Sequence, residues 1–299
     1  MRHSNRIRIA LQKSGRLNED SLNLLRHCGI KVNNRKDQLF CHSENFPLDL
    51  LRVRDDDIPS LVINGICDYG IVGTNVLQEN ALQQNHQGDY SHAEIVRNLD
   101  FGVCRLAIAV PEAFTYENLQ SLNGKRIATS YPYLLGDFFK QHGINAEITV
   151  LTGSVEIAPR LGIAHAICDL VSTGATLEAN NLREVDTIFK SRAVLIKNVA
   201  TVTAEKQHLC ETFENRIEGV LQASGSKYIM LHAPKAMLQQ VVALLPGVEN
   251  PTVMNLQGDD ERIAIHALCR ESVFWETMEE LKAAGASSIL VLPVEKMMA

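Results

Sequence analysis

Residues 167–177 read ICDLVSTGATL, and residues 66–77 read ICDYGIVGTNVL. Each opens on Ile-Cys-Asp and runs through an apolar stretch to a Gly beside a Thr. Each then closes on a Leu that opens a helical pattern. The two aspartates, Asp68 and Asp169, stand 101 residues apart. A second pair of matches lies upstream in the same order. Residues 8–10 and 126–128 are both Arg-Ile-Ala. A loop and a helical pattern follow each, DSLNLLRHCGI and YLLGDFFKQHGI, ending at Gly29 and Gly143. Gly then Ile after a helix suits a C-cap returning to a strand. Short apolar strands alternating with such helices predict an α/β protein with mostly parallel sheets. The repeat predicts two similar lobes.

Working outward, LDFGVCRLAIAVPE (99–112) reads as a strand crossing from one lobe to the other, and AVLIKNVATV (193–202) as the return. Two lobes joined by two crossings enclose a cleft. In open α/β sheets ligands sit at the C-terminal ends of strands, so each lobe is expected to send one Ile-Cys-Asp loop into that cleft. From Ser226 the pattern changes. KYIMLHAP, PTVMNL, RIAIHALC and SSILVLPVEKM read as strands, and KAMLQQVVALLPG and SVFWETMEELKAAG as helices. The order is βαββαβ, a ferredoxin-like unit, entered through LQASGSKY, which reads as a linker. The expected organisation is lobe I from 1–98 and 184–225, lobe II from 99–183, and a C-terminal domain from 226–299.

Composition narrows the function classes. The chain has 299 residues, 45% of them hydrophobic, and a net charge of −6. That is ample for a core, and it lacks the basic stripe of a nucleic-acid surface. No apolar run approaches the ~18 residues of a membrane span, and the start shows no secretory pattern. Seven scattered cysteines without a CxxC pair read as reduced thiols in a cytoplasmic protein. The histidines show no metal-ligand spacing; His86 and His92 flank a polar stretch that reads as a surface loop.

Four stretches could carry chemistry, and each has a plainer reading. DLVSTGAT is either a strand–turn–helix corner or a phosphate cradle. In the second case the N–H groups of Thr173 to Thr176 meet the anion, the Thr173 and Thr176 hydroxyls add donors, Gly174 permits the tight backbone, and Asp169 faces sugar hydroxyls. Lys13, Ser14, Gly15 and Arg16 form either a solvated loop or a cationic edge suited to polyphosphate; the P-loop pattern is absent. Arg52 and Arg54 alternate on a strand, so both face one side as candidate phosphate donors. Asp55 to Asp57 before Ile58-Pro59 read as a helix start with an Asp N-cap. Glu156, after the Gly153-Ser154 turn, either complements a helix N-terminus or faces the site.

RIRIALQKSGRL, LRVRDDDIP, ICDYGIVGTNVL, GKRIATSYP, LTGSVEIAPR and CDLVSTGATLEAN, in that order over residues 1–225, resemble the ATP phosphoribosyltransferase family, which opens histidine biosynthesis. The tail resembles the regulatory domain of its long form. The resemblance implies two lobes similar to type II periplasmic binding proteins. It also implies that ATP and 5-phosphoribosyl 1-pyrophosphate (PRPP) are joined at adenine N1, with Mg²⁺ carried by pyrophosphate and no metal ligand set from the protein. It implies PRPP contacts from Asp169, Leu170, Val171, Ser172, Thr173, Gly174, Ala175 and Thr176. Lys13, Ser14, Gly15, Arg16, Arg52 and Arg54 become candidates for ATP or pyrophosphate, with Asp68 and Thr74 lining the opposite wall. No general base is obligatory, because N1 is already unprotonated at neutral pH; Arg16 and Glu156 are the catalytic candidates. Histidine is expected as feedback inhibitor near Val248, Thr252, His266, Ala267 and Leu268, acting through active dimers and inhibited hexamers. The rival readings are a non-catalytic bilobal small-molecule-binding protein and the effector half of a transcription regulator. The first is disfavoured by the missing secretory signal, the second by the lack of a basic helix-turn-helix segment.

Overall fold

The computed structural model describes residues 5–32, 38–83, 93–200, 204–245, 250–270 and 275–297. The chain divides into two units, residues 1–26 with 30–210 and residues 27–29 with 211–299. No helix among the described residues is long and apolar enough to cross a membrane.

The first unit holds two sheets. IRIALQ becomes β1 (Ile7–Gln12), in which Ile7, Ile9, Ala10 and Leu11 have no exposed surface. Burial on both faces is what the centre of a parallel sheet demands. Around it lie β2 (Phe40–His42), β3 (Leu48–Val53), β4 (Tyr69–Gly73) and β5 (Ala93–Asn98), with β11 (Ala193–Asn198) inserted between β4 and β5. The helices of this lobe are α1 (Arg16–His27), α2 (Ile58–Ile63) and α3 (Thr74–Gln83). The second sheet is built from β6 (Cys104–Pro111), β7 (Arg126–Thr129), β8 (Glu147–Val150), β9 (Ala166–Val171) and β10 (Leu182–Ser191), in the order β10-β6-β9-β7-β8. Its helices are α4 (Pro132–His142) and α5 (Ala175–Ala179). Period-two alternation splits its core: Leu106, Ile108 and Val110 pack on one face with Leu135 and Phe139 of α4, Ala107 and Ala109 on the other with Val155 and Leu177.

The sheets share one topology. In the first, β3, β1 and β4 are parallel and β11 runs antiparallel between β4 and β5. In the second, β8, β7 and β9 are parallel and β6 runs antiparallel between β9 and β10. β6 and β11 are the two crossings. The return falls at Ala193, inside the expected stretch 193–202, but lobe II runs on past its expected boundary at 183, because β10 pairs with β6 as far as Ser191.

The Ile-Cys-Asp match is out of structural register. The Asp68 N–H donates to the Arg8 carbonyl at 2.9 Å, whereas the position against Arg126 is held by the His165 N–H at 2.8 Å. Asp68 therefore corresponds to His165, four residues before Asp169. Asp68 sits at the N-terminal end of β4, and Asp169 lies in the C-terminal half of β9. The repeat of lobes is structural; the identity of these three letters is not.

In the second unit, α6 (Ala204–Ala223), whose first residues belong to the first unit, runs into β12 (Ser226–Pro234) with only Ser224 and Gly225 between them. The expected linker is thus two residues, turned by Gly225 at φ 74°. α7 (Leu238–Leu244), β13 (Thr252–Leu256), β14 (Asp259–Arg270), α8 (Trp275–Ala283) and β15 (Ser287–Pro293) follow. The sheet order β13-β14-β12-β15, all antiparallel, is that of the ferredoxin-like unit. Ile229, Leu231, Ile263, Ile265 and Ala267 pack beneath it with Val241 and Leu281 of the helices.

Candidate functional site

Two cavities open between the lobes of the first unit, where strands of both sheets end. One, of about 310 Å³, is lined by Gln12, Arg16 and Asn75 from the first lobe and Leu170 and Ser172 from the second, with Gly102 and Ala193 at the crossings. The other, of about 600 Å³, lies between Arg54, Asp55, Asp56 and Glu79 of the first lobe and Tyr131 and Thr152 of the second. Asp55 lines both.

The loop of the opening stretch lies where a ligand could meet it. β9 ends at Val171; Ser172, Thr173, Ala175 and Thr176 are exposed, and Gly174 takes φ 89°, a left-handed value that suits glycine. α5 has only five residues, so the loop's own amides, more than a helix dipole, are what it offers an anion. Asp169 is half-buried and accepts the Leu170 N–H at 2.8 Å. Burial raises its pKa, and the Glu156 charge adds to the rise. Glu156 stands in a single 3₁₀ turn, Val155–Ile157, entered through Ser154 at φ 51°.

The first-lobe candidates separate. Gly15, at φ 90°, ends the loop and α1 starts at Arg16, so the loop is shorter than its composition suggests. Arg16 is exposed and lines the smaller cavity; Lys13 and Ser14 are exposed beside it. Arg54 lines the larger cavity, but Arg52 is 5% exposed inside the sheet, so the two arginines are not displayed together. Asp57 holds the N-cap position of α2 without a side-chain cap bond, and Pro59 lies in its first turn. Asp55 and Asp56 are cleft walls as well as helix starters.

Two expectations are corrected. Asp68 is buried at the far end of β4, where its carboxylate accepts the Arg8 N–H at 2.8 Å and both oxygens lie 3.0 Å from Lys206 Nζ. It holds the sheet together and does not line the opposite wall. Thr74 opens α3, and its hydroxyl bonds Ser191 at 3.2 Å and the Arg192 N–H at 3.3 Å. It ties the helix to the return crossing, while its neighbours Gly73 and Asn75 line the cavity.

Residues not singled out in the sequence join the lobes. Asn75 is 3% exposed; it donates to the Tyr131 hydroxyl at 3.0 Å and accepts from Ser191 Oγ at 2.7 Å. A Cβ on Gly73 would overlap the Asn75 side chain, so glycine there is what lets the amide fold back. Glu79 accepts the N–H groups of Tyr133 and Leu134 at 2.9 and 2.8 Å, capping α4 from the other lobe. The Tyr131 hydroxyl is held protonated by burial first and then by the charges of Asp55, Asp169 and Asp56. The same charges mark the cleft as acidic. Asn75 and Tyr131 lie inside the quoted stretches ICDYGIVGTNVL and GKRIATSYP, but nothing there marks them as partners, and Glu79 lies outside both.

No group of three or more His, Cys, Asp or Glu gathers as a metal site among the described residues; His86 and His92 lie outside them. All seven cysteines are free thiols, and burial pushes that of Cys67 up to about 12.

In the second unit, Thr252 and His266 are cross-strand partners. The His266 ring meets the Tyr228 hydroxyl at 3.0 Å, and Leu268 is exposed two residues along. Ala267, between them, points into the core at 5% exposure, so it cannot share their face. Val248 lies outside the described residues.

Residues 54–219 match the family model of ATP phosphoribosyltransferase, and residues 223–296 match that of its C-terminal domain. Among solved structures, the chain is similar to the ATP phosphoribosyl transferase (HisG:HisZ) complex from Thermotoga maritima, at 26% identity and a TM-score of 0.57, over 71% of this chain and 98% of that one. It is also similar to the alkanesulfonate-binding protein SsuA from Xanthomonas axonopodis pv. citri bound to MOPS. That match has 18% identity and a TM-score of 0.47, over 74% of this chain and 75% of that one. With the catalytic model spanning more than half of its length and the C-terminal model following directly, the chain belongs to the ATP phosphoribosyltransferase family, in its long form.

Proposed function

We propose that the cleft between the lobes joins ATP to PRPP. N1 of adenine attacks the anomeric carbon of the ribose, the bond to pyrophosphate breaks, and the products are N1-(5-phosphoribosyl)-ATP and pyrophosphate. The observation that carries this reading is that Ser172 of the anion loop and Arg16 line one cavity from opposite lobes. Two substrates held on facing walls need alignment more than acid–base help. The loop amides from Thr173 to Thr176 hold the 5′-phosphate, and Asp169 meets the ribose hydroxyls. Arg16 and Arg54 supply charge to the polyphosphates, stabilising the departing group.

The acidic walls set a condition. Asp55, Asp56 and Glu79 line the cavities and repel polyanions. Burial and then the charges of Asp55 and Asp57 raise the pKa of Asp56, and burial and then the Glu156 charge raise that of Asp169. A divalent cation entering with pyrophosphate suits such oxygen donors, and Asp169 and Glu156 are the residues that would meet it. When bound, Mg²⁺ supplies charge neutralisation on the pyrophosphate.

The C-terminal unit is proposed to bind histidine on the face carrying Thr252, His266 and Leu268, inhibiting the enzyme by favouring hexamers over active dimers. The location proposed is the cytoplasm. The test of the main reading mixes protein, ATP, PRPP and Mg²⁺ and follows a new ultraviolet-absorbing adduct with release of pyrophosphate. Absence of adduct where both substrates bind would leave a binding protein in its place.

A further inference from the structure

Arg105, the second residue of β6, makes a fork-to-fork pair with Glu184 of β10. Its Nε reaches Oε1 at 2.6 Å and its Nη2 reaches Oε2 at 2.6 Å. The remaining terminal nitrogen, Nη1, donates to the backbone carbonyl of Ser172 at 3.2 Å. Thr187 adds a hydroxyl to Glu184 Oε1 at 3.2 Å. The pair is not a register neighbour: Arg105 stands opposite Lys190, and Glu184 opposite Ala109. β10 shifts register between Glu184 and Asp186 and again between Thr187 and Phe189, and such irregularities re-aim side chains. A bidentate carboxylate fixes the plane of a guanidinium, so the third donor has a set direction, and it is spent on the loop.

In a trans peptide the carbonyl and the following N–H point to opposite sides. Holding the Ser172 carbonyl toward Arg105 therefore turns the Thr173 N–H away from Arg105. We propose that Arg105 and Glu184 are positioning residues for PRPP: the locked guanidinium pins the Ser172–Thr173 peptide so that the Thr173 N–H faces the bound phosphate. This rests on residues 172–176 being the anion loop.

The experiment measures KM for PRPP and for ATP separately, with melting temperature, in Arg105→Lys and Glu184→Gln, beside Thr176→Ala. Lysine keeps the charge but cannot serve Glu184 and Ser172 in one plane. Arg105→Lys is expected to raise KM for PRPP about tenfold, as loss of one charge-assisted bond implies, with KM for ATP nearly unchanged. Glu184→Gln should raise it in the same direction by less. If Glu184→Gln instead lowers KM for PRPP, Arg105 reaches the phosphate itself and positioning is overturned. Lower melting temperature with unchanged KM in both variants reduces the pair to a structural role and also overturns it. If Thr176→Ala weakens PRPP while neither other variant does, only the positioning role falls; if Thr176→Ala has no effect, the loop reading falls with it. Should Arg105→Lys fail to fold, the near-isosteric Glu184→Gln decides alone.

Discussion

Glu79, on α3 of the first lobe, accepts the backbone N–H of Leu134, on α4 of the second, at 2.8 Å. α4 has no cap from its own N-cap residue, Tyr131, so a helix of one lobe begins on a carboxylate of the other. Burial raises the Glu79 pKa above 4.5 despite the two N–H bonds that lower it. The native state then holds its proton more tightly than the unfolded chain. The stability it contributes is full below the ordinary carboxylate value and is lost as pH rises through the raised one. Glu79→Gln is expected to flatten the decline in that window, measured as urea midpoints from pH 4.5 upward. A decline of unchanged slope would assign it to other groups.

Thr176→Ala removes a hydroxyl donor from the exposed loop after β9. PRPP binding should weaken by about 1.5–3 kcal/mol, the scale of a hydrogen bond to a charged group, while ATP binding changes less. Calorimetric titration of the folded variant checks this; intact PRPP affinity takes the phosphate away from this loop.

Arg16 opens α1 with its side chain exposed at the cavity wall. Arg16→Ala should depress turnover about tenfold or more through lost phosphate pairing and leave the melting temperature near the parent value. A drop in melting temperature at full turnover would make Arg16 a structural residue.

Asp68→Ala should behave in the opposite way. It strands Lys206, which is 14% exposed on its side chain, and unpairing a buried ion pair costs about 3–5 kcal/mol. Denaturant midpoints should fall while the KM values of the remaining folded enzyme hold. A change in KM for either substrate without loss of stability would return Asp68 to the cleft.

Truncation after Ala223, the last residue of α6, removes the C-terminal sheet whole. Histidine inhibition and hexamer formation are expected to disappear together, read by activity assays and sedimentation. Persistent inhibition in a folded truncation would place the histidine site in the lobes.

The lobes were legible because strand–helix alternation is local and repeats, and Arg-Ile-Ala marks β1 and β7 correctly. The Ile-Cys-Asp match pointed to the right strands in the wrong register. A three-residue identity carries no information about where along a strand it sits; that depends on hydrogen bonds to Arg8 and Arg126. The loop after Asp169 was readable from its small residues. Asn75 with Tyr131, Glu79 with Leu134 and Arg105 with Glu184 were not, since each pair is brought together from 50 or more positions apart, across lobes or diagonally across a sheet. No periodicity encodes such meetings.

The placing of β11 between β4 and β5 has a consequence for the newborn chain. Residues 104–191 contain every strand of the second sheet, so that lobe can close as soon as it leaves the ribosome. The first lobe cannot: 94 residues (99–192) separate β5 from the strand that joins it to β4. At ordinary synthesis rates that is a wait of roughly five to twenty seconds, during which β4 presents an unpaired edge and β5 has no neighbour. The half that is made first is the half that is finished last.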